Sequence, residues 1–390
     1  MSKKAMKIAF IGQKGIPAKS GGVERHAEEL AVKLAERGHE VFVYVRKNYT
    51  DKNIAQYKGV KLVHVPNIHT KNLDAITHTF FSIAHAIFQR YDVVHFHSIG
   101  PNSLNFLIKI FKPKTALFAT YHCQDYFHQK WGALAKAYLK FGEYMTCMVP
   151  DKTIAVTNIL KKFIKEKFGR EAEVISNGAN VSWNEKSDKL SRWNIEKGEY
   201  ILAVSRIIRH KGLHYLVAAY KELEKKNLTG GKKLVIVGEG FYTTDYVKYL
   251  KNLASESENI IFTGTQSGEN LSQLFSHAYF FVQPSDSEGL SIALLEAMGY
   301  GNAVIVSNIP ENLEAIGSAG ISFSQGNISD LQQKMTDLIS DKEKASALSE
   351  AGKKRVQEIY SWDRIADETS VLYEKEVAKK RNKKFYAQTE

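Results

Sequence analysis

Two glutamates frame an apolar segment in the second half of the chain. The stretch SEGLSIALLEAMGYG, residues 287–301, places Glu288 just before the apolar residues and Glu296 among them. A helix that begins near Gly289 or Leu290 separates the two carboxylates by about two turns, at roughly 1.5 Å of rise per residue. They are therefore too far apart for a close acid–base pair. Two interpretations remain: the glutamates bind two parts of one ligand, or Glu288 only favours the helix dipole and Glu296 is an ordinary helical residue.

The start of this expected helix is itself a candidate for anion binding. The first N–H groups of a helix have no partner within it and carry partial positive charge. With a start near residue 289 they include those of Gly289, Leu290 and Ser291, which would face an anion such as a phosphate.

Two cations follow a strand-like segment earlier in the same half. In VSRIIRHKGLHYLVAAY, residues 204–220, Arg206 follows the strand and Lys211 precedes a helix. An arginine fork and a lysine point charge suit a diphosphate. Two basic residues before a helix are also common as plain surface charge. Gly238, in the short VGEG turn at the end of another strand, is compatible with contact to a nucleotide.

Glycines are frequent in the first loop of the chain. GQKGIPAKSGGVERH, residues 12–26, lies between a strand and a helix and includes the pair Gly21 and Gly22. Such a loop lets the backbone approach a ligand closely at a helix start, or it serves only as a tight turn. Its spacing differs from the dinucleotide-binding fingerprint, and a bound dinucleotide is therefore not expected.

Polar residues also follow a later strand of the first half. The segment TYHCQDYFHQKWG contains His122, Asp125 and His128. A histidine at a strand end can donate or accept a hydrogen bond to a ligand. With the strand residues His95 and His97 it could build a metal cluster, but no ligand spacing supports one. We expect these histidines to be structural and the protein to hold no metal.

Short apolar strands alternate with longer amphipathic helices throughout. Strands that are apolar on both faces and separated by helices indicate parallel βαβ units in doubly wound sheets. In the helix after the first loop, apolar residues recur at three- and four-residue spacing until Gly38, which predicts its end. The expected strands are 7–12, 41–45, 60–65, 92–97, 115–120 and 152–157 in the first half and 200–205, 233–238, 259–263, 279–283 and 302–306 in the second.

The strand pattern stops and restarts near residue 190, and so two domains are expected. A chain of 390 residues exceeds one ordinary core, and the segment SNGANVSWNEKSDKLSRWN between the two sets is polar and turn-rich. We assign residues 1–182 to an N-terminal domain, residues 183–362 to a C-terminal domain, and residues 363–390 to a helical tail that returns to the first domain. Two open α/β domains imply a cleft between them, faced by the carboxyl ends of the strands.

Composition argues against several classes of protein. The two cysteines, Cys123 and Cys147, are too few for a disulfide framework and suit a reducing cytosol. No apolar run is long enough for a membrane span, and the first residues do not resemble a signal peptide. The net charge of +12 is concentrated in residues 1–190, where 29 Lys and Arg face 16 Asp and Glu. This excess is either an ordinary solvated surface or one that meets a membrane, a phosphorylated acceptor or nucleic acid.

Taken together and in this order, these motifs resemble the family 4 glycosyltransferases, which are retaining enzymes of the GT-B fold. GQKGIPAKSGGVE and the later H-x-x-D…KWG are similar to the subgroup of rhamnosyltransferase-like cell-surface polysaccharide enzymes. Three residues depart from the usual pattern: Cys123 after the histidine, Ser176 before Asn-Gly, and Ala303 after the last glycine motif. The matching motifs are GG at 21–22, NG at 177–178, R…KG at 206–212 and E-x7-E with its continuation at 288–301.

The resemblance implies a nucleotide-sugar donor held mainly by the second domain. It implies that Arg206 and Lys211 neutralise the diphosphate as the leaving group gathers charge. Glu296 would accept hydrogen bonds from the ribose hydroxyls, and Glu288 from hydroxyls of the transferred sugar. The other donor-side positions are Gly238, Gly289, Leu290 and Ser291.

For the first domain, the resemblance implies roles nearer the reacting groups. Gly22 would lie near the diphosphate and the acceptor, and His122 would contact the donor sugar close to the reacting centre. Gly21 and Asp125 would lie on the acceptor side. The family needs no divalent metal and no cofactor, because the nucleotide sugar, a UDP- or GDP-sugar, is a substrate, and the acceptor hydroxyl attacks from the front side.

We therefore expect a cytoplasmic enzyme that moves a sugar from a nucleotide-sugar donor to a saccharide or lipid-linked acceptor in cell-envelope polysaccharide synthesis. The basic first domain would let it bind peripherally to the inner face of the plasma membrane. One alternative is a UDP-sugar 2-epimerase, because the GT-B fold also hosts such enzymes. A nucleic-acid-binding protein is disfavoured, since no reader motif accompanies the charge.

Overall fold

The chain folds into two α/β units. In the computed structural model, one unit comprises residues 1–177 and 362–390, and the other comprises residues 178–361. The boundaries assigned from sequence lie within five residues of these. Among the described helices, none has the length and apolar character needed to cross a membrane. The structure describes residues 5–19, 21–70, 73–124, 126, 132–179, 181, 183–240 and 243–386.

A mostly parallel sheet of eight strands lies at the centre of the first unit. Its strands are β1 (Lys7–Ile11), β2 (Glu40–Arg46), β3 (Gln56–Tyr57), β4 (Val60–Val65), β5 (Val93–His97), β6 (Ala116–Tyr121), β7 (Lys152–Ala155) and β8 (Glu173–Val174). Their order across the sheet is β3-β4-β2-β1-β5-β6-β7-β8, and the β3–β4 pair is antiparallel. Every residue of β5 and β6 is buried, as expected for parallel strands covered on both faces.

Helices accompany this sheet, and the last helix of the chain belongs to the same unit. The helices are α1 (Gly22–Glu36), α2 (Asp74–Ile87), α3 (Ile99–Asn102), α4 (Phe106–Phe111), α5 (Ala133–Met148), α6 (Asn158–Phe168) and α14 (Trp362–Tyr386). Arg37, directly after α1, donates through Nε to Asp367 Oδ1 at 2.7 Å, and His39 Nε2 lies 2.9 Å from Ser370 Oγ. These contacts hold α14 beside α1, although some 330 residues separate the partners in sequence.

A fully parallel sheet of six strands forms the centre of the second unit. The strands are β9 (Tyr200–Val204), β10 (Lys233–Val237), β11 (Ile260–Gly264), β12 (Phe280–Gln283), β13 (Ala303–Ser307) and β14 (Ile321–Phe323), in the sheet order β11-β10-β9-β12-β13-β14. The helices are α7 (Leu213–Lys225), α8 (Thr244–Ala254), α9 (Gly268–Ser276), α10 (Ile292–Gly299), α11 (Pro310–Ile316), α12 (Ile328–Ser340) and α13 (Lys342–Ile359). The buried core includes Ile201, Leu216 and Ile236, from β9, α7 and β10.

The two doubly wound sheets confirm the fold class expected from sequence. All eleven expected strands are present, with ends that differ by one or two residues. The strands β3, β8 and β14 were not predicted, because two or three residues are too few to show an apolar pattern. Helix α1 ends at Glu36, and Gly38 follows with a φ of 86°.

Candidate functional site

Each sheet has a switch point, where the chain stops adding strands on one side and continues on the other. In the second unit the chain runs from β9 to β10 and β11 on one side, then returns to β12 and β13 on the other. The switch point therefore lies between β9 and β12. Ligands of doubly wound folds bind outside the carboxyl ends of the strands at such a point.

Lys211 and Glu288 form an ion pair beside this switch point. Lys211 follows β9 and Glu288 follows β12, and the Lys211 Nζ donates to both Glu288 oxygens, at 2.6 and 2.7 Å. The two side chains are only 15% and 7% exposed, and Ser285 Oγ donates to Glu288 Oε1 at 2.6 Å. The pair is therefore held in one arrangement. An ammonium has three N–H donors and a carboxylate has about four acceptor positions, so both groups keep capacity for a ligand.

A buried polar network fixes the loop that carries Glu288. Ser307 Oγ donates to the Ser285 carbonyl at 2.5 Å, and Asn312 Nδ2 donates to Ser307 Oγ at 3.0 Å. Gln283 Nε2 donates to Asn312 Oδ1 at 2.8 Å. The sequence interpretation missed these residues. A signal was present, since Gln283 and Ser307 are polar residues at the ends of otherwise apolar strands.

Arg206 lies on the loop directly after β9 and is half-buried. Among the described residues, no carboxylate pairs with its guanidinium, whereas Lys211 has Glu288. The two cations singled out from sequence therefore differ: Lys211 is paired with a carboxylate within the unit, and Arg206 has no carboxylate partner among the described residues.

Two glycines of the second unit are required by close backbone contacts. Gly212 has a φ of 66°, and a Cβ there would lie 1.9 Å from the Pro284 carbonyl oxygen. Gly238 has a φ of 134°, and its Cβ would lie 1.9 Å from the Ser205 carbonyl oxygen. Both approaches exclude any side chain. Gly238, expected as a donor-binding position, thus has a structural role that would by itself account for the glycine.

Helix α10 begins later than the sequence indicated, so the expectation of a start near Gly289 or Leu290 was wrong. Ser291 is its N-cap: its side-chain oxygen accepts a hydrogen bond from Leu294 N at 3.4 Å. The N–H groups of Gly289 and Leu290 precede the helix. The physical reason is the preference of serine for the cap position, which moves the start to Ile292. Glu296 lies within α10 and is half-buried.

Three histidines meet in the first unit. Its sheet has a switch point between β1 and β5, where the chain reverses its direction of strand addition. His26 from α1, His97 at the end of β5 and His122 after β6 come together beside it. His97 Nδ1 lies 3.4 Å from His122 Nε2, and the ring of His26 packs edge-on to that of His122 with centroids 4.7 Å apart.

Burial keeps these imidazoles neutral. His26, His97 and His122 are 2%, 0% and 6% exposed. Burial lowers the pKa of His26 to about 4, against the hydrogen bond with Asn177 that raises it. Burial also lowers the pKa of His97 and of His122 well below the usual value, and the neighbouring histidines add to the effect.

One ring nitrogen from each of these three histidines lies within 4.8 Å of the other two. The grouping considered from sequence paired His97 with His95 instead. The His95 nitrogens already have partners, Tyr373 Oη at 2.5 Å and Thr120 Oγ1 at 2.7 Å. Periodicity could not have found His26, because it lies on a helix some 70 residues before His97.

The two glycines at the start of α1 behave differently. Gly21 is the N-cap with a φ of 99°, and a Cβ there would lie 2.3 Å from Glu24 Oε2. At Gly22 a Cβ would meet nothing within 4 Å. The positive φ therefore explains Gly21, whereas neither φ nor packing requires a glycine at position 22. Asp125, expected on the acceptor side, lies outside the described residues.

Comparison with known families gives two matches that together span most of the chain. The model of the family described as Glycosyltransferase Family 4 matches residues 20–183, and that of Glycosyl transferases group 1 matches residues 185–355. An uncharacterized glycosyltransferase of Methanocaldococcus jannaschii is 29% identical, covering 94% of this chain and 98% of its own. Glycogen synthase of Mycobacterium tuberculosis is 25% identical, covering 94% of both chains.

Solved structures share the fold. Sucrose-phosphate synthase from Thermosynechococcus elongatus superposes with a TM-score of 0.81 at 20% identity, covering 96% of this chain and 99% of its own. HepE of Anabaena, in complex with UDP and glucose, has a TM-score of 0.78 at 17% identity, covering 95% and 100%. At these identities the likeness shows the fold alone. The two family models together with the two doubly wound sheets establish that the chain belongs to the family 4 glycosyltransferases and has the GT-B fold.

Proposed function

We propose that the protein is a retaining glycosyltransferase that moves a sugar from a nucleotide-sugar donor to a saccharide or lipid-linked acceptor. The observation that carries the proposal is the arrangement of Arg206 and the Lys211–Glu288 pair at the switch point of the second unit. The family match favours transfer over the epimerase considered from sequence.

The donor diphosphate is bound by the two cations after β9. Arg206 supplies a fork of donors, and Lys211 supplies its third N–H while Glu288 holds the ammonium in place. Charge builds on the diphosphate as the bond to the sugar breaks. Interactions with that charge are stronger in the transition state than before it, and they lower the barrier.

Hydroxyl groups of the donor are bound by the two glutamates. Glu288 accepts from the transferred sugar with the lone pairs that Lys211 and Ser285 leave free. Glu296 accepts from the ribose. The backbone of Gly289, Leu290 and Ser291 lies between the two glutamates in sequence and contributes N–H groups to the donor.

Residues of the first unit act on the sugar and the acceptor. His122 contacts the sugar as a neutral imidazole, and Gly22 lets backbone approach the ligand because nothing else needs the absent side chain. Gly21 sets the start of α1, and Asp125 is assigned to the acceptor side. The subgroup of rhamnosyltransferase-like enzymes stays a prediction.

Transfer proceeds without a divalent metal, because cationic side chains take the place that a metal has on the diphosphate. Exhaustive chelation should not lower the activity. Loss of activity that Mg²⁺ or Mn²⁺ restores would contradict this part of the proposal.

The base of the donor is uracil or guanine. Support for uracil comes from HepE, which was solved with UDP-glucose and with UDP. Thermal-shift measurements with UDP-, GDP-, ADP- and dTDP-sugars identify the donor. Lys211→Ala should abolish the shift, and Lys248→Ala, a control at an exposed position, should retain it.

Incubation of the protein with the donor alone separates the two enzyme classes. Release of the sugar in the absence of an acceptor indicates a transferase, and an epimerised donor would overturn the proposal.

The acceptor is a cell-envelope saccharide at the cytoplasmic face of the membrane. The excess of 29 cationic over 16 anionic residues in the first 190 supports contact with an anionic surface. Co-sedimentation with anionic liposomes should be strong at low salt and lost at high salt. If equal amounts of protein sediment with the liposomes at both salt concentrations, or none at either, the proposal of electrostatic membrane binding is wrong. The assignment as a glycosyltransferase would not be affected.

A further inference from the structure

One histidine of the cluster formed by His26, His97 and His122 has a buried ring nitrogen that faces no hydrogen-bond partner among the described residues. This atom is the Nε2 of His26, a residue that is 98% buried. The Nε2 of His97 and ring nitrogens of His64 and His78 also have no partner there, but His64 and His78 lie outside the cluster. A buried polar atom without a partner costs roughly 1–3 kcal/mol in a folded protein, and a bound water or ion is one explanation for it.

We propose that His26, His97 and His122 bind a divalent metal ion of the borderline class, with Zn²⁺ as the ion that fits best. Imidazole nitrogens suit Zn²⁺, Co²⁺ and Ni²⁺, whereas Mg²⁺ and Ca²⁺ prefer oxygen ligands. Three histidines with a fourth position left to water form a known type of zinc ligand set. The set of three imidazole donors identifies the class of metal ion.

The distances are close to those that a tetrahedral zinc ion needs. With Zn–N bonds of about 2.0–2.1 Å, ligand nitrogens lie roughly 3.3 Å apart. His97 Nδ1 and His122 Nε2 are already 3.4 Å apart, so that His97 would bind through Nδ1 and not through its unpartnered Nε2. One ring nitrogen from each of the three histidines lies within 4.8 Å of the other two. Small ring rotations of the kind that side chains make on binding close the remaining gap.

Asn177 orients one ligand for this role. His26 Nδ1 lies 2.8 Å from Asn177 Oδ1, and an oxygen acceptor places the imidazole proton on Nδ1. The lone pair is then on the unpartnered Nε2. Metal-binding histidines characteristically donate their other N–H to such an oxygen, which fixes the tautomer and the ring orientation.

The direct test uses the chain without substitutions. Protein treated with a chelator should take up one Zn²⁺ per chain, and Co²⁺ in its place should give the intense visible absorption of a tetrahedral site. Crystals grown with Zn²⁺ should show an anomalous peak among the three imidazoles. A water oxygen bonded to His26 and His97, with no anomalous peak and no tight Zn²⁺ uptake, would overturn the proposal.

Variants separate this site from zinc binding elsewhere. His26→Asn keeps an amide that can still donate to Asn177, removes one ligand, and should abolish Zn²⁺ binding at this stoichiometry. Asn177→Ala keeps all three ligands and should weaken binding by about 10- to 100-fold. His78→Gln, at a buried histidine on α2, is the matched control and should leave the affinity unchanged. Equal affinity in all three variants would contradict the proposal, and circular dichroism verifies their folding.

Zinc should also inhibit sugar transfer, a consequence that rests on the proposed function. Zn²⁺ would occupy the His122 nitrogen and hold its ring away from the sugar, so that inhibition is relieved by chelation. The uptake and diffraction measurements need no activity, and their failure is distinguishable from failure of the transferase assignment.

Discussion

The two units have the same kind of sheet and opposite kinds of chemistry at its switch point. In the second unit, Lys211 and Glu288 are a charged pair, and Arg206 beside them has no carboxylate partner among the described residues. In the first unit, His26, His97 and His122 are neutral and almost fully buried. The same backbone arrangement thus presents strong charge in one unit, suited to a diphosphate, and lone pairs in the other, suited to hydroxyl groups or a metal ion.

The largest effect on activity is expected from removing the positive charge of Lys211 in the second unit. Lys211→Ala should lower kcat/KM by about 10²–10³-fold, as expected when one donor to a developing charge is lost. Steady-state kinetics with the identified donor measures the effect. The double variant Lys211→Met/Glu288→Gln removes the unpaired carboxylate, and should recover stability without recovering activity. Recovery of both stability and activity would show that Lys211 and Glu288 form only a structural ion pair.

The close loop packing of the second unit is tested by Gly212→Ala. A Cβ 1.9 Å from the Pro284 carbonyl, at a φ of 66°, forces the loop after β9 away from the end of β12. We expect a loss of about 2–3 kcal/mol in the free energy of unfolding, measured by chemical denaturation. Gly231→Ala is the matched control, since its φ is 74° and its Cβ would meet nothing within 4 Å. Equal losses for both would show that backbone strain, and not the contact, sets the effect.

Substitutions of two adjacent glycines in the first unit should separate an effect on stability from an effect on activity. Gly22→Ala should leave the melting temperature unchanged and lower kcat/KM by about tenfold, because only a ligand would meet the new methyl group. Gly21→Ala should lower the melting temperature, since its φ is 99° and its Cβ would approach Glu24. Full activity in Gly22→Ala would remove this residue from the proposed site.

The neutrality of histidines in the first unit predicts how stability depends on pH. Burial lowers the pKa of His78 to about 3, with Arg46 nearby adding to the effect, and its unfolded value is 6.5. Between these values the unfolded chain binds more protons than the folded one, so stability is lost as pH falls from about 6.5 towards 3. Each such proton contributes at most about 1.4 kcal/mol per pH unit. Denaturation between pH 5 and 7 should show a shallower slope for His78→Phe, and an unchanged slope would contradict the assignment.

Much of the architecture was readable from local patterns. Continuous apolar runs such as ALFATY in β6 are typical of strands covered on both faces, and their alternation with amphipathic helices indicates doubly wound sheets. The cations Arg206 and Lys211 were identified because they follow a strand end. The start of α10 was placed too early because an apolar run shows which part of a helix is buried but does not show which residue caps it. In the structure, Ser291 is the N-cap and the helix begins at Ile292.

Local sequence patterns were therefore sufficient to predict most strands and helices and the charged residues at their ends. Which of these residues meet became visible only in the folded chain. Lys211 and Glu288 are 77 positions apart, and His26 is 151 positions from Asn177. Such partners are brought together by the order of strands in a sheet. That order depends on how whole helices and strands pack, and no short window of sequence contains it.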